Sequence, residues 1–340
     1  MDEGGPGEHE RRLTGDVTGG TRHAQGLVIA VLGPTGVGKS AVGVELARAL
    51  GVRVISCDSM QVYSGFPVLT NQPRGPGEGR ELHDLVGFQD PRSAISAGEY
   101  AELAQPLIER DVDAAGRAVV VGGSGLYMRA VLAPLAAPGP ADRESRQKLE
   151  ARAREKGGAA LHAELAELDP EAAGAIDPRN VRRVVRALES VLGGNRWSGR
   201  DDLWRPKYFR PTLIVGLTLD RDLLGERIAS RTAMMVENGA IEEVRHFCEA
   251  SGGADCTPGG AGIRSAIGYG EIWRYLVGEH GLAETIEQIE RATHRYARRQ
   301  HTWLRKAKDA VMIDVQGMNA RQIASEILAL ADEMSAAKGS

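Results

Sequence analysis

Short apolar runs alternate with amphipathic stretches along the first 130 residues. "GLVIAVLG" (26–33) is continuously apolar, as a strand buried on both faces of a parallel sheet should be. In "KSAVGVELARALG" (39–51) the period changes. Val42, Leu46 and Leu50 recur on one helical face, and Gly51 supplies a C-cap. "VRVISCD" (52–58) predicts the next strand. "SAGEYAELAQPLIERDVDAAG" (96–116) predicts a helix entered at Ser96, with Glu99 completing a capping box. "RAVVVGGSG" (117–125) predicts a third buried strand ending in glycines. This alternation predicts an α/β fold on a doubly wound parallel sheet.

From about 138 to 200 the pattern turns helical, rich in Ala, Arg and Glu and poor in β-branched runs apart from Val181, Val184 and Val185. We read 138–200 as a small helical insertion domain. The flanking segments, 26–137 and 201–340, then form one core. "RPTLIVGLTLD" (210–220) predicts a further buried strand. A helix pair broken at Gly239 covers 221–250, and a long helix precedes a last strand at 310–315. The polar, Gly-rich residues 1–25 predict a disordered lead-in without a signal-peptide core.

Composition narrows the partners. The chain has 340 residues, 26% of them charged, and a net charge of −4, so any nucleic-acid binding must come from local basic patches. Cys57, Cys248 and Cys256 form neither a disulfide framework nor a CxxC metal spacing, and fit a reducing, cytoplasmic setting. No apolar run reaches membrane-spanning length. No heptad run suggests self-association, and a monomer is expected.

Chemistry enters at "GPTGVGKS". Gly33, Gly38, Lys39 and Ser40 complete the G-x-x-x-x-G-K-[ST] motif between a strand and a helix. Backbone N–H groups of such a P-loop converge on an oxyanion, Lys39 adds charge, and the Ser40 hydroxyl can ligate Mg²⁺. The sheet is therefore P-loop NTPase-like. The motif points to phosphate without naming the phosphate. In "SCDSMQVYSG" (56–65), Asp58 follows a strand, where it serves either as a site carboxylate or as a helix N-cap. "VVVGGSGLYMRAV" brings a glycine turn, Ser124 and Tyr127 to the same sheet edge. Arg227 and Arg231, four apart, either face solvent or present a guanidinium to phosphate. Two basic clusters remain. One holds Arg179, Arg182, Arg183 and Arg186; the other runs from Arg291 to Lys308, interleaved with Tyr296, His301 and Trp303. Basic stripes with aromatics suit an RNA backbone and unstacked bases, although charged helix faces also arise from solvation alone.

Taken in order, "GPTGVGKS", "DSMQVYSG", "DPRSAISAGEY", "VVVGGSGLYMRAVL", "DPRNVRRVVRALE", "RIASRTAMMVENGAIEEV", "AIGYGEI" and "THRYARRQHTWLR" resemble the tRNA dimethylallyltransferase family over residues 27–315. The resemblance implies transfer of a dimethylallyl group from its diphosphate to N6 of the adenosine 3′ of the anticodon, with Mg²⁺ and release of diphosphate. It implies that Gly33, Pro34, Thr35, Gly36, Val37, Gly38, Lys39 and Ser40 cradle the diphosphate of the donor, dimethylallyl diphosphate. Arg231 and Arg227 would add guanidinium groups, and Asp58 would act as general base on the amine. It also implies that the helical insertion grips the anticodon stem of the tRNA. Contacts to the anticodon stem-loop would come from Asp58, Ser59, Met60, Gln61 and Ser124. Others would come from Arg182, Arg183 and Arg186, from Ser265, Gly268 and Tyr269, and from Arg298, Arg299, Trp303 and Arg305. The chain departs from the family pattern at three points: Asp84 follows His83 where a second histidine is common, "PVLTNQP" lacks a lysine, and Gly270 replaces a basic residue.

Three other readings fit parts of the pattern. An adenylate dimethylallyltransferase would share the chemistry but needs no stem-gripping insertion. A P-loop kinase would use Asp58 toward Mg²⁺ but needs a nucleobase pocket. An RNA-binding module with a vestigial loop would not need the intact Gly33–Gly38–Lys39–Ser40 set.

Overall fold

The computed structural model describes residues 26–75, 79–134, 143–195, 197, 207–253 and 256–339. The predicted lead-in (1–25) and the junctions of the helical segment near 138 and 200 lie outside the described residues. Six strands form one sheet in the order β3-β2-β4-β1-β5-β6, every pair parallel. They are β1 Leu27–Leu32, β2 Val54–Ser56, β3 His83–Asp84, β4 Arg117–Gly122, β5 Thr212–Thr218 and β6 Val311–Asp314.

Period-two alternation explains why the central strands read as unbroken apolar runs. Along β1, Val28, Ala30 and Leu32 enter one core, while Leu27, Ile29 and Val31 enter the other. β4 divides the same way, with Ala118 and Val120 against Val119 and Val121. One face is covered by α1 (Lys39–Leu50) through Val42, Leu46 and Ala47, and by α12 (Ala320–Gly339) through Ile323, Ala324, Ile327 and Ala331. The other is covered by α2 (Ala97–Ala115) and α3 (Gly125–Leu132), with Leu304 of α11 (Leu282–Leu304) against Gly216 of β5, and α9 (Ala240–Ala250) and α10 (Tyr269–Leu276) extend the same core outward. α8 (Arg221–Glu237) precedes α9, and Gly239 breaks the pair in the left-handed region. Helices α4 (Arg143–Lys156), α5 (Gly158–Leu168), α6 (Pro170–Gly174) and α7 (Val181–Leu192) keep a small core of their own, with Leu161, Leu165, Val184, Val185 and Leu188 at its centre.

Several described elements, α10, α12 and β3 among them, lie beyond the sequence-based expectations. α12 follows the last predicted strand, and Asn319 and Gln322 cap its entry reciprocally at 2.9–3.0 Å. β3 is two residues long, too short for a periodic signal. It explains the His83–Asp84 departure: the His83 ring is buried against the Gly79 carbonyl, and Asp84 receives Arg53 at 2.7 Å and Arg110 at 2.8 Å. Asp84 thus ties the sheet edge to α2.

The predicted capping box is present. Ser96 Oγ accepts from Glu99 N at 3.2 Å, and Glu99 accepts from Ser96 N at 2.8 Å. The helix it starts carries Tyr100, whose hydroxyl donates to the Ser56 carbonyl at the end of β2. We expect Ser96→Ala to cost about 1 kcal/mol. Urea denaturation checks this as a lower midpoint with an unchanged m-value.

Candidate functional site

The strand order reverses between β1 and β4. The chain leaves β1 toward β2 on one side of the sheet, and after β4 it returns to β5 on the other. Loops after such neighbours diverge and open a crevice at the carboxyl edge. The P-loop follows β1 and the Gly123–Ser124 turn follows β4, so both walls come from sheet topology. Gly38 enters α1 at φ 103°, a conformation a side chain would resist.

Lys39 Nζ donates to the Pro34 carbonyl at 2.8 Å. Arg231 Nη1 donates to Thr35 Oγ1 at 2.6 Å, and Arg227 Nη1 reaches the Gly36 and Val37 carbonyls at 3.5 and 3.4 Å. Spacing one helical turn apart on α8 therefore brings both guanidinium groups to the loop. Asp58 lies close enough to act on the charges of both Lys39 and Arg231. Burial pushes the Lys39 ammonium down to about 8; Asp58 opposes that shift and Arg231 adds to it. Burial likewise lowers Arg231, with Asp58 and Tyr296 opposing it.

Asp58 does not cap a helix. Its Oδ1 accepts from Met60 N at 2.9 Å in a turn, and residues 59–65 are turns around a single parallel bridge from Tyr63 to Gln89. Of the two roles the sequence left open, the helix cap is thus excluded. Ser124 Oγ accepts from Ser59 N at 3.2 Å, meets Ser59 Oγ at 3.1 Å and lies 3.4 Å from the Tyr296 hydroxyl. The Tyr296 hydroxyl is pushed up to about 12 by burial and by Asp58, so it remains a neutral donor at physiological pH. Tyr127, the alternative to Ser124, turns its hydroxyl to the Ile95 carbonyl.

The Gly-rich end of β4 is needed for close packing. A Cβ on Gly122 would sit 1.9 Å from the Cys57 carbonyl oxygen. One on Gly123 would sit 2.1 Å from Gln300, and one on Gly125 would sit 2.1 Å from Trp303. α11 thus presses Gln300 and Trp303 onto the turn. Its other side carries exposed Arg295, Arg298 and Arg299, which with Thr302, Trp303 and Lys306 line a cavity of about 530 Å³. The Arg299 guanidinium lies 5.6 Å over the Tyr296 ring. Arg305 is exposed just beyond the helix.

Other predicted contact residues sort differently. Gln61 is engaged at both ends, accepting from Ser56 Oγ at 2.9 Å and donating to the Asn71 carbonyl at 2.7 Å. The "PVLTNQP" loop is held by Glu243, whose two oxygens accept from Val68 N and Leu69 N at 2.7 and 2.8 Å. Arg182 and Arg183 are exposed on α7, whereas Arg186 pairs with Glu189 at 2.6 Å. Ser265 is exposed, and its hydroxyl donates to the Gly262 carbonyl. Gly268 is buried; a Cβ there would meet Leu69 at 2.9 Å. Tyr269 corrects the expectation: it is 0% exposed, packed against Phe66 and Phe247, and donates to the Cys256 carbonyl at 2.8 Å. It is a core residue and reaches no surface that RNA could touch. No helix among the described residues is long and apolar enough to cross a membrane.

A parallel α/β sheet with a P-loop and a carboxylate opposite it, set beside a basic helix, defines a P-loop group transferase. Residues 61–307 match the IPP transferase family and residues 26–76 the isopentenyl transferase family. The chain belongs to the IPP transferase family. The tRNA dimethylallyltransferase of Thermomicrobium roseum is 41% identical over 294 residues, 85% of this chain and 86% of that protein. That of Thermobifida fusca is 43% identical over 287 residues, 82% of this chain and 87% of that protein. The crystal structure of a tRNA isopentenylpyrophosphate transferase from Bacillus halodurans matches with a TM-score of 0.66 and 34% identity, covering 93% of this chain and all (100%) of that one. A eukaryotic dimethylallyltransferase acting on tRNA matches with a TM-score of 0.71 at 26% identity, covering 85% of this chain and 74% of that one.

The Lys39 shift sets a sign for anion binding. The free ammonium is charged below about pH 8 and loses its proton above it. Affinity for inorganic diphosphate should therefore hold below pH 8 and fall by about tenfold per pH unit above it. Calorimetric titrations across pH 7–9.5 check this, and Lys39→Met should bind weakly without that step.

Proposed function

We propose that this chain is a tRNA dimethylallyltransferase that moves a dimethylallyl group from dimethylallyl diphosphate to N6 of the adenosine 3′ of the anticodon. The observation that carries the reading is a carboxylate, Asp58, near enough to act on the charges of Lys39 and Arg231 while Arg231 bonds the P-loop at Thr35. A cationic cradle suits the departing diphosphate, and a carboxylate opposite suits the incoming amine. The allylic C–O bond breaks, its electron pair leaves with diphosphate, the C–N bond forms, and the N6 proton passes to Asp58. Loop amides from Gly36 to Ser40, with the Thr35 hydroxyl, Lys39, Arg227 and Arg231, bind the diphosphate.

Mg²⁺ fits this site. The Ser40 hydroxyl is exposed at the loop mouth, and Mg²⁺ takes few protein ligands when diphosphate oxygens and water supply the rest. The ion would neutralise charge that develops on the leaving diphosphate. The adenosine leaves its stack to enter the crevice, as base-modifying enzymes require. Arg298, Arg299, Trp303 and Arg305 then hold the loop of the RNA, and the 143–192 helices grip the stem through Arg182 and Arg183. Three free thiols suit a cytoplasmic location.

The test offers unmodified tRNA, AMP and ATP separately to the protein with Mg²⁺ and radiolabelled dimethylallyl diphosphate. Label should enter tRNA alone. Label entering AMP but not tRNA would assign the chain to free adenylates, and ATP hydrolysis without label transfer would assign it to the kinases. Asp58→Ala should lower turnover by about a hundredfold or more and leave tRNA binding measurable. Near-normal turnover would remove Asp58 from the chemistry.

A further inference from the structure

Tyr296, Gln300 and Trp303 recur at i, i+4 and i+7 on α11, the spacing of one helical face, and that face is turned into the strand ends. Gln300 is the most enclosed of them, at 7% exposed. Its Oε1 accepts from the Thr35 backbone N–H at 2.8 Å, and its Nε2 donates to the Gly123 carbonyl at 3.0 Å. Both ends of one buried amide are therefore used, and only one orientation of the amide satisfies both. The two partners lie on opposite walls of the crevice, one on the loop after β1 and one on the turn after β4. The absent side chain of Gly123 leaves the space the amide fills, since a Cβ there would come 2.1 Å from Gln300. Thr35 carries a second contact, because its hydroxyl accepts from Arg231 at 2.6 Å. Any shift of the Thr35 backbone is thus passed to the guanidinium.

We propose that Gln300 is a positioning residue for the diphosphate cradle: it fastens the P-loop to the turn after β4 and so sets where Thr35, and Arg231 through Thr35, meet the leaving group. This rests on the reading of the P-loop as a diphosphate site. Gln300 itself need touch no substrate. Its amide is spent on the protein, and its effect is to keep one wall of the crevice in register with the other. A buried donor and acceptor that lose their partner would also lose the reason for holding that register.

The test uses the full-length chain with Mg²⁺ and inorganic diphosphate as the probe. Gln300→Met keeps length and apolar volume but removes both hydrogen bonds. It should bind diphosphate about tenfold more weakly and lower kcat/KM for dimethylallyl diphosphate in proportion, while affinity for an anticodon stem-loop RNA stays within about twofold. Gln300→Glu supplies an internal control. Its carboxyl, when protonated, can accept from Thr35 and donate to Gly123 as the amide does; when ionised it sets a negative charge against the Gly123 carbonyl. The ratio of Q300E to wild-type diphosphate affinity should therefore rise as pH falls from 8 to 5.5. Tyr296 on the same helix, Arg231 from α8, Lys39 from the loop and Asp58 from the turn after β2 face this region. The ratio removes the titration common to both proteins, and what remains is the new carboxyl together with its coupling to these four groups, Tyr296 above all, which bonds residue 300 directly. Wild-type-like diphosphate binding by Q300M overturns the proposal, as does a Q300E ratio flat in pH. A wild-type chain that fails to bind diphosphate at all overturns the P-loop reading and this inference with it.

Discussion

A parallel sheet sends the carboxyl ends of all its strands to one edge, so only there can loops from distant parts of the chain meet. Where the strand order reverses between β1 and β4, those loops part and leave a crevice. Into it come the P-loop, the turn carrying Asp58 and the Gly123–Ser124 turn. None of these segments is near another in sequence. The helices that complete the site arrive by the same route: α8 follows β5, and α11 ends just before β6. The constraint also demands close backbone approach. Cys57 N donates to the Val121 carbonyl at 2.6 Å, and the side-chain space that Gly122, Gly123 and Gly125 lack is filled by Cys57, Gln300 and Trp303. A larger residue at any of these glycines would force a neighbour out of its place.

Charge inside the crevice is balanced by geometry. Two cations drawn out of water, Lys39 and Arg231, each lose part of their affinity for a proton, and Asp58 is the group that opposes the loss for both. Tyr296, beside the same carboxylate, is held in its neutral form. The crevice therefore presents a carboxylate and the neutral hydroxyls of Ser59, Ser124 and Tyr296 on one side, and cations and amide donors on the side of the loop. A diphosphate ester is complementary to the second side. A neutral exocyclic amine that must lose a proton is complementary to the first.

The apolar pattern foretold the parallel sheet because strands buried on both faces have no polar alternation to confuse them with helices. It also foretold the Ser96 capping box and the break at Gly239, where local chemistry decides local structure. α12 has a legible signal, a cap at Asn319 and Gln322 and a helical period through Ile323 and Ile327, that the expectations from the strand pattern do not include. β3 left no trace, since two residues have no period. At the site, the spacing of Arg227 and Arg231 allowed either a solvated face or a phosphate contact, and only the packing of α8 against the loop separates the two. Tyr269 fails for a related reason. Resemblance placed it near RNA, but an aromatic ring beside Phe66 and Phe247 is drawn into the core, and no one-dimensional pattern reveals which neighbours it will find. Gln300 stayed hidden within a basic stretch because its partners, Thr35 and Gly123, lie 265 and 177 residues away.

The same cradle can serve phosphoryl transfer, and what distinguishes the reaction proposed for this chain is where the nucleophile stands. When phosphorus is attacked, the acceptor must lie in line with the bond to the terminal phosphate, close to the loop itself. When an allylic carbon is attacked, the whole diphosphate is the leaving group, and the acceptor must lie beyond the carbon chain on the far side. Asp58 sits on the turn after β2, separated from the loop by β4 in the sheet order. A base in that place suits attack at carbon. It also explains why the guanidinium groups come from the chain's own α8: charge builds on the departing oxygens, inside the loop, where Arg227 and Arg231 already bond Gly36, Val37 and Thr35.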